Sequence, residues 1–274
     1  MPSRLLLAVA WVWVVCTAAA CGGGGESPSD AVDQTPRGKI TVFAAASLTE
    51  AFNEIAEAFT EEYPGTDIDF NFGGTPTLRT QLEQGARADV FASASVEQMD
   101  LARASGVADG PSSTFARNSL VIITPSANRA RINAPVDLQR DGLKLVIANG
   151  AVPVGAYTRQ ALAAMEEDPA YGAGFADAVL GNVVSLESNV KQVVAKVELG
   201  EADAGIVYGT DVTPAVAPKL RRIEIPDAFN VIAEYPVALV RDRSNDVTAR
   251  AFIDFLISRE GQAILMKYGF LSAE

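Results

Sequence analysis

The sequence predicts an α/β fold in which mostly parallel sheets are covered on both faces by helices. Three observations lead there. From residue 38 onward, segments with strand periodicity alternate with segments whose apolar residues recur at helical spacing. Several strands are near-continuously apolar, Ser119 to Thr124 most clearly, as strands buried on both faces must be. The corners leading from strand to helix are polar or glycine-rich, and in open α/β sheets ligands sit at such corners, outside the carboxyl ends of the strands.

In chain order, Ile40 to Phe43 is a strand, and Leu48 to Glu62 is a helix carrying Leu48, Phe52, Ile55 and Phe59 on one face and halted by Pro64-Gly65. Between them, Ser47-x-x-Glu50 reads as a capping box, with the Ser47 side chain accepting from an early helix N–H and Glu50 reaching back. Asp67 to Phe72 alternates Ile68, Phe70 and Phe72 as a strand does, and Gly73-Gly74 is a turn. Thr75 then reads as an N-cap with Pro76 at the first helical position, in a helix bearing Leu78 and Leu82 that stops at Gly85. Asp89 to Ser93 is a strand and Glu97 to Ala104 a helix stopped by Gly106. Ser119 to Thr124 and Leu143 to Ala148 are strands; the glycine-bounded corner Gly150 to Gly155 opens a helix bearing Tyr157, Ala161, Leu162 and Met165. Phe175 to Leu180 is a short helix and Val183 to Leu186 a strand. Ser188-Asn189 caps a helix carrying Val190, Val193, Val194 and Val197, which ends at Gly200. Ala204 to Tyr208, Leu220 to Ile225 and Val237 to Val240 are strands. Asn245 opens a helix with Ala249, Phe252, Ile253 and Leu256, and Gln262 to Lys267 is the last helix, stopped by Gly269.

Four of these corners begin helices: at Ser47, at Thr75, at Gly150 to Gly155, and at Ser188-Asn189. A helix start presents unpaired N–H donors and a partial positive charge, which suits an anion. None of the four carries Lys, Arg or His beside the cap; Lys191 is the nearest base, one turn in. Tyr208 stands at the end of its strand before Gly209, either as a core tyrosine or as an O–H donor at the strand end.

The N-terminus differs from the rest. Arg4 followed by the uncharged apolar run Leu5 to Thr17 reads as an export signal covering residues 1–20, too short for a stable membrane span. Ala18-Ala19-Ala20-Cys21, followed by Gly22 to Gly25, resembles the lipobox of bacterial lipoproteins, in which the cysteine becomes the acylated N-terminus. Ala18 stands where that pattern usually has Leu; the alternative is an ordinary Ala-x-Ala cleavage site. Residues 21–37 read as a flexible tether. Of the two cysteines, Cys16 leaves with the signal and Cys21 carries lipid, so the mature chain has neither free thiol nor disulfide.

Composition excludes several classes. The chain has 274 residues, 49% of them hydrophobic, enough for one large core or two medium ones. A net charge of −12 argues against nucleic acid and anionic membrane surfaces. With no histidine and no cysteine in the folded part, a zinc or copper site is not expected and the commonest general base is missing. A serine hydrolase built on Ser47 lacks a base, a Ser-x-x-Lys motif and the Gly-x-Ser-x-Gly elbow. No phosphate-binding Gly-x-x-x-x-Gly-Lys-Ser/Thr loop occurs.

Five stretches then occur in order: Ile40-Thr41-Val42-Phe43-Ala44-Ala45-Ala46-Ser47-Leu48, Asn71-Phe72-Gly73-Gly74-Thr75-Pro76-Thr77-Leu78, Val152-Pro153-Val154-Gly155, Gly205-Ile206-Val207-Tyr208-Gly209 and Glu234-Tyr235-Pro236-Val237. Together they resemble the molybdate-binding components of bacterial ABC importers, which are type II periplasmic binding proteins, over roughly residues 38 to 271. The resemblance implies two lobes with the ligand in the cleft between them: residues 38–122 plus 234–274 in one, 123–233 in the other. It implies a site for molybdate or tungstate, with molybdenum present only as that oxyanion and no cofactor. Ser47 and Tyr208 would give hydroxyls, and Thr75 a hydroxyl where the family usually has Ser. Val154, where many members have Ala, and Val190 would give backbone N–H groups. Asn189 replaces an acidic residue common beside Val190. It further implies a monomer that delivers its ligand to a membrane permease, anchored outside the cytoplasm through Cys21. A fully ionised dianion can only accept, so donors without a carboxylate suit it; a protonated phosphate would leave its O–H unpaired, at about 1–3 kcal/mol. Another tetrahedral oxyanion such as sulfate is the alternative within the class.

Overall fold

The structure is a computed structural model that describes residues 35–273. The expected export signal and Cys21 lie outside the described residues. Arg37, counted with the tether from sequence, is already held to the fold: its N–H donates to Thr248 Oγ1 and its carbonyl accepts from Asn245 Nδ2, at 3.0 and 2.7 Å.

The first half opens with β1 (Gly38–Ala45), a short 3₁₀ turn at Ala46–Leu48, and α1 (Thr49–Glu62). It continues through β2 (Thr66–Gly73), α2 (Thr75–Glu83), β3 (Val90–Ala92), α3 (Val96–Ala104) and β4 (Ala108–Asn118). The second half follows without a break: β5 (Leu120–Pro125), β6 (Leu145–Ala148), α4 (Pro153–Glu166), α5 (Phe175–Gly181), β7 (Val183–Glu187), α6 (Val190–Glu198), β8 (Ala204–Tyr208) and β9 (Leu220–Glu224). The chain then returns to the first half with β10 (Ala233–Val240), α7 (Asp246–Ile257) and α8 (Arg259–Lys267).

Two five-stranded sheets result, ordered β2-β1-β3-β10-β4 and β7-β6-β8-β5-β9. In each, four strands run one way and one opposes them: β10 is antiparallel to β3 and β4, and β5 to β8 and β9. The opposed strands are those that carry the chain into the second half and back. The change of sheet falls at Ser119, between β4 and β5, earlier than the boundary at 122 expected from sequence; Leu120 to Ile123 already pair with β8. The return begins beside it, since Ala233 pairs with Asn118, and Asn230 brackets Leu120 by accepting from its N–H and donating to its carbonyl, both at 2.9 Å.

Strand β4 was not expected from sequence. Its residues are largely polar and include Gly110 and Pro111, which removes the apolar alternation that marks a strand. It lies at the sheet edge, with β10 as its neighbouring strand and a single bridge from Arg117 to Leu271 on its other side, and proline and solvated polar residues are tolerated there. Strand β10 also begins four residues before the expected Val237, with Pro236 at an irregularity in its pairing to β4.

Register sets the position of the strand ends. Strands β1 and β2 pair in parallel from Gly38↔Thr66 to Ala45↔Gly73. Ser47 and Thr75 each lie two residues beyond that last pair, so the pairing alone brings the two corners level. In the first half, Phe52 of α1 packs against Phe70, Phe115 and Phe252, with ring centroids 5.9, 5.7 and 6.1 Å away. This cluster clamps α1 between its sheet and α7 and so fixes where the helix starts.

In the second half, α6 lies directly on β8 at Gly205. A Cβ there would come within 2.8 Å of Val193 Cγ1 and 3.0 Å of the Val146 carbonyl oxygen, closer than packed atoms tolerate. Gly205→Ala is therefore expected to push α6 off the sheet and destabilise the protein by about 1–3 kcal/mol, read as a lower urea midpoint. An unchanged midpoint would show that the helix does not depend on this close approach.

Candidate functional site

The carboxyl ends of the two sheets face each other across a small cavity of about 20 Å³. Ala45, Ala46, Ser47, Gly73, Gly74, Thr75 and Ala94 line it from the first half; Val152, Pro153, Val154, Asn189, Val190 and Tyr208 line it from the second. The structure thus brings Ser47, Thr75, Val154, Val190 and Tyr208 to one cavity. All five are buried, with relative exposures between 1% and 4%. None of the lining residues carries a charge.

Ser47 does not cap a helix. It lies inside the 3₁₀ turn that precedes α1, and neither that turn nor α1 has a side-chain cap. The tight turn displaces the helix start by one residue, to Thr49 with Leu48 at the N-cap, so the expected capping box is not formed. The Ser47 hydroxyl instead lies 3.0 Å from the Tyr235 hydroxyl, and Glu50 is ion-paired with Lys191 at 2.7 Å. Thr75 is likewise the first residue of α2, with Gly74 at the N-cap. Its Oγ1 accepts from the backbone N–H of Ala94 at 3.2 Å, which leaves the Thr75 proton to donate elsewhere.

Val154 and Val190 lie in the first turns of α4 and α6, where backbone N–H groups have no acceptor within the helix. Asn189 does cap α6, accepting from Gln192 N–H at 3.2 Å. Two glycines permit this closeness. At Gly155 a Cβ would meet the Asn149 carbonyl oxygen at 2.2 Å, because α4 starts hard against the end of β6. At Gly74 it would meet the Ser188 carbonyl oxygen at 2.2 Å, a contact between one half of the protein and the other.

Tyr208 ends β8 and is almost wholly buried. Its hydroxyl has no hydrogen-bond partner among the described residues. Burial, reinforced by the neighbouring Tyr235, Tyr157 and Asp211, raises its pKa well above the usual phenol value. Tyr208 therefore keeps its proton and offers a donor. Leaving such a group unpaired costs about 1–3 kcal/mol.

The charges nearest the cavity are tied to one another. Lys191 Nζ contacts Glu50 across the halves and lies 3.4 Å from Asp211 Oδ1, an ion pair without hydrogen-bond alignment. Burial opposes the Lys191 charge, but Asp211 and Glu50 outweigh it and hold its pKa above the ordinary value. Asp211 Oδ2 accepts the Tyr208 N–H at 3.1 Å, and burial pushes the carboxyl up to about 6 against the pull of Lys191. The cavity is therefore a neutral set of donors with hydroxyls and helix starts on both sides. It can hold a small anion that accepts but does not donate. Sequence reasoning missed Asn118, Tyr235 and Asp211. The signal for Asp211 was its place three residues past a strand-end tyrosine; Asn118 offered none, lying in the unrecognised β4.

The chain matches the bacterial extracellular solute-binding protein family over residues 40–271. It is 38% identical over 251 residues to the molybdate-binding protein ModA of Mycobacterium tuberculosis, covering 92% of this chain and 91% of that one. It is 36% identical to the molybdate-binding protein ModA of Escherichia coli, covering 85% and 89%. Its fold is similar to that of the Azotobacter vinelandii periplasmic molybdate-binding protein, with a TM-score of 0.73 and 19% identity over 85% of this chain and 98% of that one.

The buried Asp211 gives a prediction with a definite sign. Its folded pKa lies above its ordinary value of 3.8, so the unfolded chain releases the proton first. This group therefore takes stability away as pH rises from about 4 to about 6. Asp211→Asn lacks that loss. Its stability relative to the parent protein is expected to rise by roughly 2–3 kcal/mol across the same window, measured by urea unfolding at several pH values. A difference that is flat with pH would place the Asp211 carboxyl near its ordinary value.

Proposed function

The chain belongs to the bacterial extracellular solute-binding protein family, and on that premise we propose that it captures molybdate, and tungstate with it, for an ABC importer. It is a binding protein and not an enzyme, and the ligand is cargo rather than cofactor. The observation that carries the reading is the buried Tyr208 hydroxyl, unpartnered among the described residues in an uncharged cavity lined by helix starts from both halves.

In this reading Ser47 and Thr75 donate their hydroxyl protons to the oxyanion from one side. Val154 N–H, Val190 N–H and the Tyr208 hydroxyl donate from the other. Molybdate is a dianion that can only accept, so each donor is satisfied and no acceptor is stranded. Charge-assisted hydrogen bonds contribute about 1.5–3 kcal/mol each. Together, less desolvation and ordering, they reach the roughly −10 to −12 kcal/mol of a nanomolar scavenger. Because the donors come from both halves, the bound ion draws them together, and motion about Ser119 and residues 225–232 opens and closes the site. With no fixed cation in the cavity, opening releases the ion to the permease.

The protein works outside the cytoplasm. The lipobox-like Ala18-Ala19-Ala20-Cys21 supports anchoring through a lipid on Cys21, with the residues between it and Arg37 linking that anchor to a monomeric binding unit. Cys21→Ser is expected to move the protein from the membrane fraction to the soluble one; unchanged attachment would rule out acylation at that position.

Calorimetry of the mature protein with molybdate, tungstate, sulfate and phosphate tests the ligand. Molybdate and tungstate are expected to bind tightly, and a protein that prefers sulfate or phosphate would refute the assignment. Ser47→Ala and Tyr208→Phe are each expected to weaken molybdate by about 1–3 kcal/mol, the cost of removing one donor to a buried charge. Two variants that bind as the parent does would dissociate these hydroxyls from the site.

A further inference from the structure

A hydroxyl can donate or accept, and only its surroundings decide which. At Ser47 the surroundings form a chain of hydrogen bonds whose direction can be followed from its far end. The backbone N–H of Ser119 donates to Asn118 Oδ1 at 3.0 Å. A backbone N–H cannot accept, so the Asn118 amide is fixed with its NH₂ on the other side. That NH₂ donates to Thr210 Oγ1 at 2.8 Å and, at the long limit of 3.4 Å, to the Tyr235 hydroxyl. Tyr235, accepting there, has one proton left, and among the described residues the hydrogen-bond partner in place for it is the Ser47 hydroxyl at 3.0 Å. Ser47 then accepts from Tyr235 and must send its own proton elsewhere, and the cavity is what its side chain lines.

The chain of contacts is sealed from water. Asn118 is 1% exposed, Tyr235 is wholly buried and Ser47 is 4% exposed. Burial drives the Tyr235 phenol far above its ordinary pKa, so its proton is always present to be given. Thr75 is polarised in the same sense by the Ala94 N–H. Both hydroxyls on this side of the cavity are thus oriented by contacts that trace back to a backbone N–H, that of Ser119 for Ser47 and that of Ala94 for Thr75.

We propose that Asn118 and Tyr235 are positioning residues whose hydrogen-bond relay fixes Ser47 as a proton donor into the cavity, and thereby set its preference for fully ionised oxyanions over singly protonated ones. The proposal rests on the oxyanion reading above and specifies what enforces it. A protonated oxyanion needs an acceptor for its O–H, and Ser47 is denied that role while Tyr235 occupies its lone pair. The relay also begins at Ser119, where the chain passes from one sheet to the other, so the hydroxyl is set from the crossing point itself.

Removing the Tyr235 hydroxyl frees the Ser47 lone pair to accept. Molybdate and phosphate are both dianions at about pH 8 and differ in that phosphate retains one proton. Their affinities, with phosphate measured by its displacement of molybdate, give a ratio in which changes of charge cancel. In Tyr235→Phe the ratio of molybdate to phosphate affinity is expected to fall about tenfold, as one hydrogen bond to a buried group implies. If the variant weakens both ligands equally, or leaves the ratio unchanged, Tyr235 is only structural and the proposal fails. Asn118→Asp supplies an independent variant of the same shape, needed if Tyr235→Phe does not fold. Its carboxylate would still accept from Ser119 N–H but would draw the Tyr235 proton towards itself. Ser47 would then donate to Tyr235 and turn its proton away from the cavity. The ratio is again expected to fall, and an unchanged ratio in this variant also overturns the relay. A parent protein that does not prefer molybdate over phosphate would refute the oxyanion reading itself, before any variant is compared.

Discussion

The Tyr208 hydroxyl is buried, protonated and without a hydrogen-bond partner among the described residues. A fold tolerates such a group only when something else depends on it. Around it, the architecture keeps every other contributor to the cavity neutral and donor-facing. The parallel register of β1 and β2 brings Ser47 and Thr75 level. Gly155 lets α4 begin against the end of β6, and Gly74 lets the two halves touch through the Ser188 carbonyl. Lys191, in the first turn of α6, is held by Glu50 and Asp211 instead of lining the cavity. In the proposed function, dipoles and hydroxyls take the place of a lysine or arginine, without a fixed charge that would hold the ion too long.

The same arrangement ties binding to the junction between the halves. The strands that carry the chain across, β4 into β5 and the segment leading to β10, lie side by side and are bonded through Asn118, Asn230 and Ala233. Asn118 contacts Thr210 of the second half and Tyr235 of the first, and Tyr235 contacts Ser47. Tyr208 and Tyr235 meet edge to face with centroids 5.8 Å apart. A change in the angle between the halves would therefore reach the cavity through packed rings and hydrogen bonds. The Glu50–Lys191 pair crosses between the halves beside it. That pair is partly exposed, so it adds little affinity and mainly favours one relative placement.

Much of the fold was legible in the sequence because buried strands and amphipathic helices have distinct periods. The runs Ser119 to Thr124 and Ala204 to Tyr208, and the valine stripe of α6, lie within a residue or two of where their patterns put them. What failed, failed for identifiable reasons. Strand β4 carries no apolar alternation because it is an edge strand, with a neighbouring strand, β10, on one side. The capping box expected at Ser47 gives way to a 3₁₀ turn over Ala46–Leu48, which a local sequence pattern does not distinguish from a helix start. The five candidate ligand residues lie on elements far apart in sequence, so their meeting in one cavity could not come from periodicity; the resemblance brought them together, and register and close glycine contacts give the physical reason. The Asn118–Tyr235 contact spans 117 residues, and no local pattern announces it.

The proposed function requires a dianion held by donors from both halves at once. The most direct measurement is anomalous diffraction at the molybdenum edge from crystals of the mature protein grown with molybdate. One peak is expected between the two sheets, with its oxygens within hydrogen-bonding distance of the Ser47, Thr75 and Tyr208 hydroxyls and the Val154 and Val190 N–H groups. A peak elsewhere, or one whose oxygens touch donors of one half only, would contradict it.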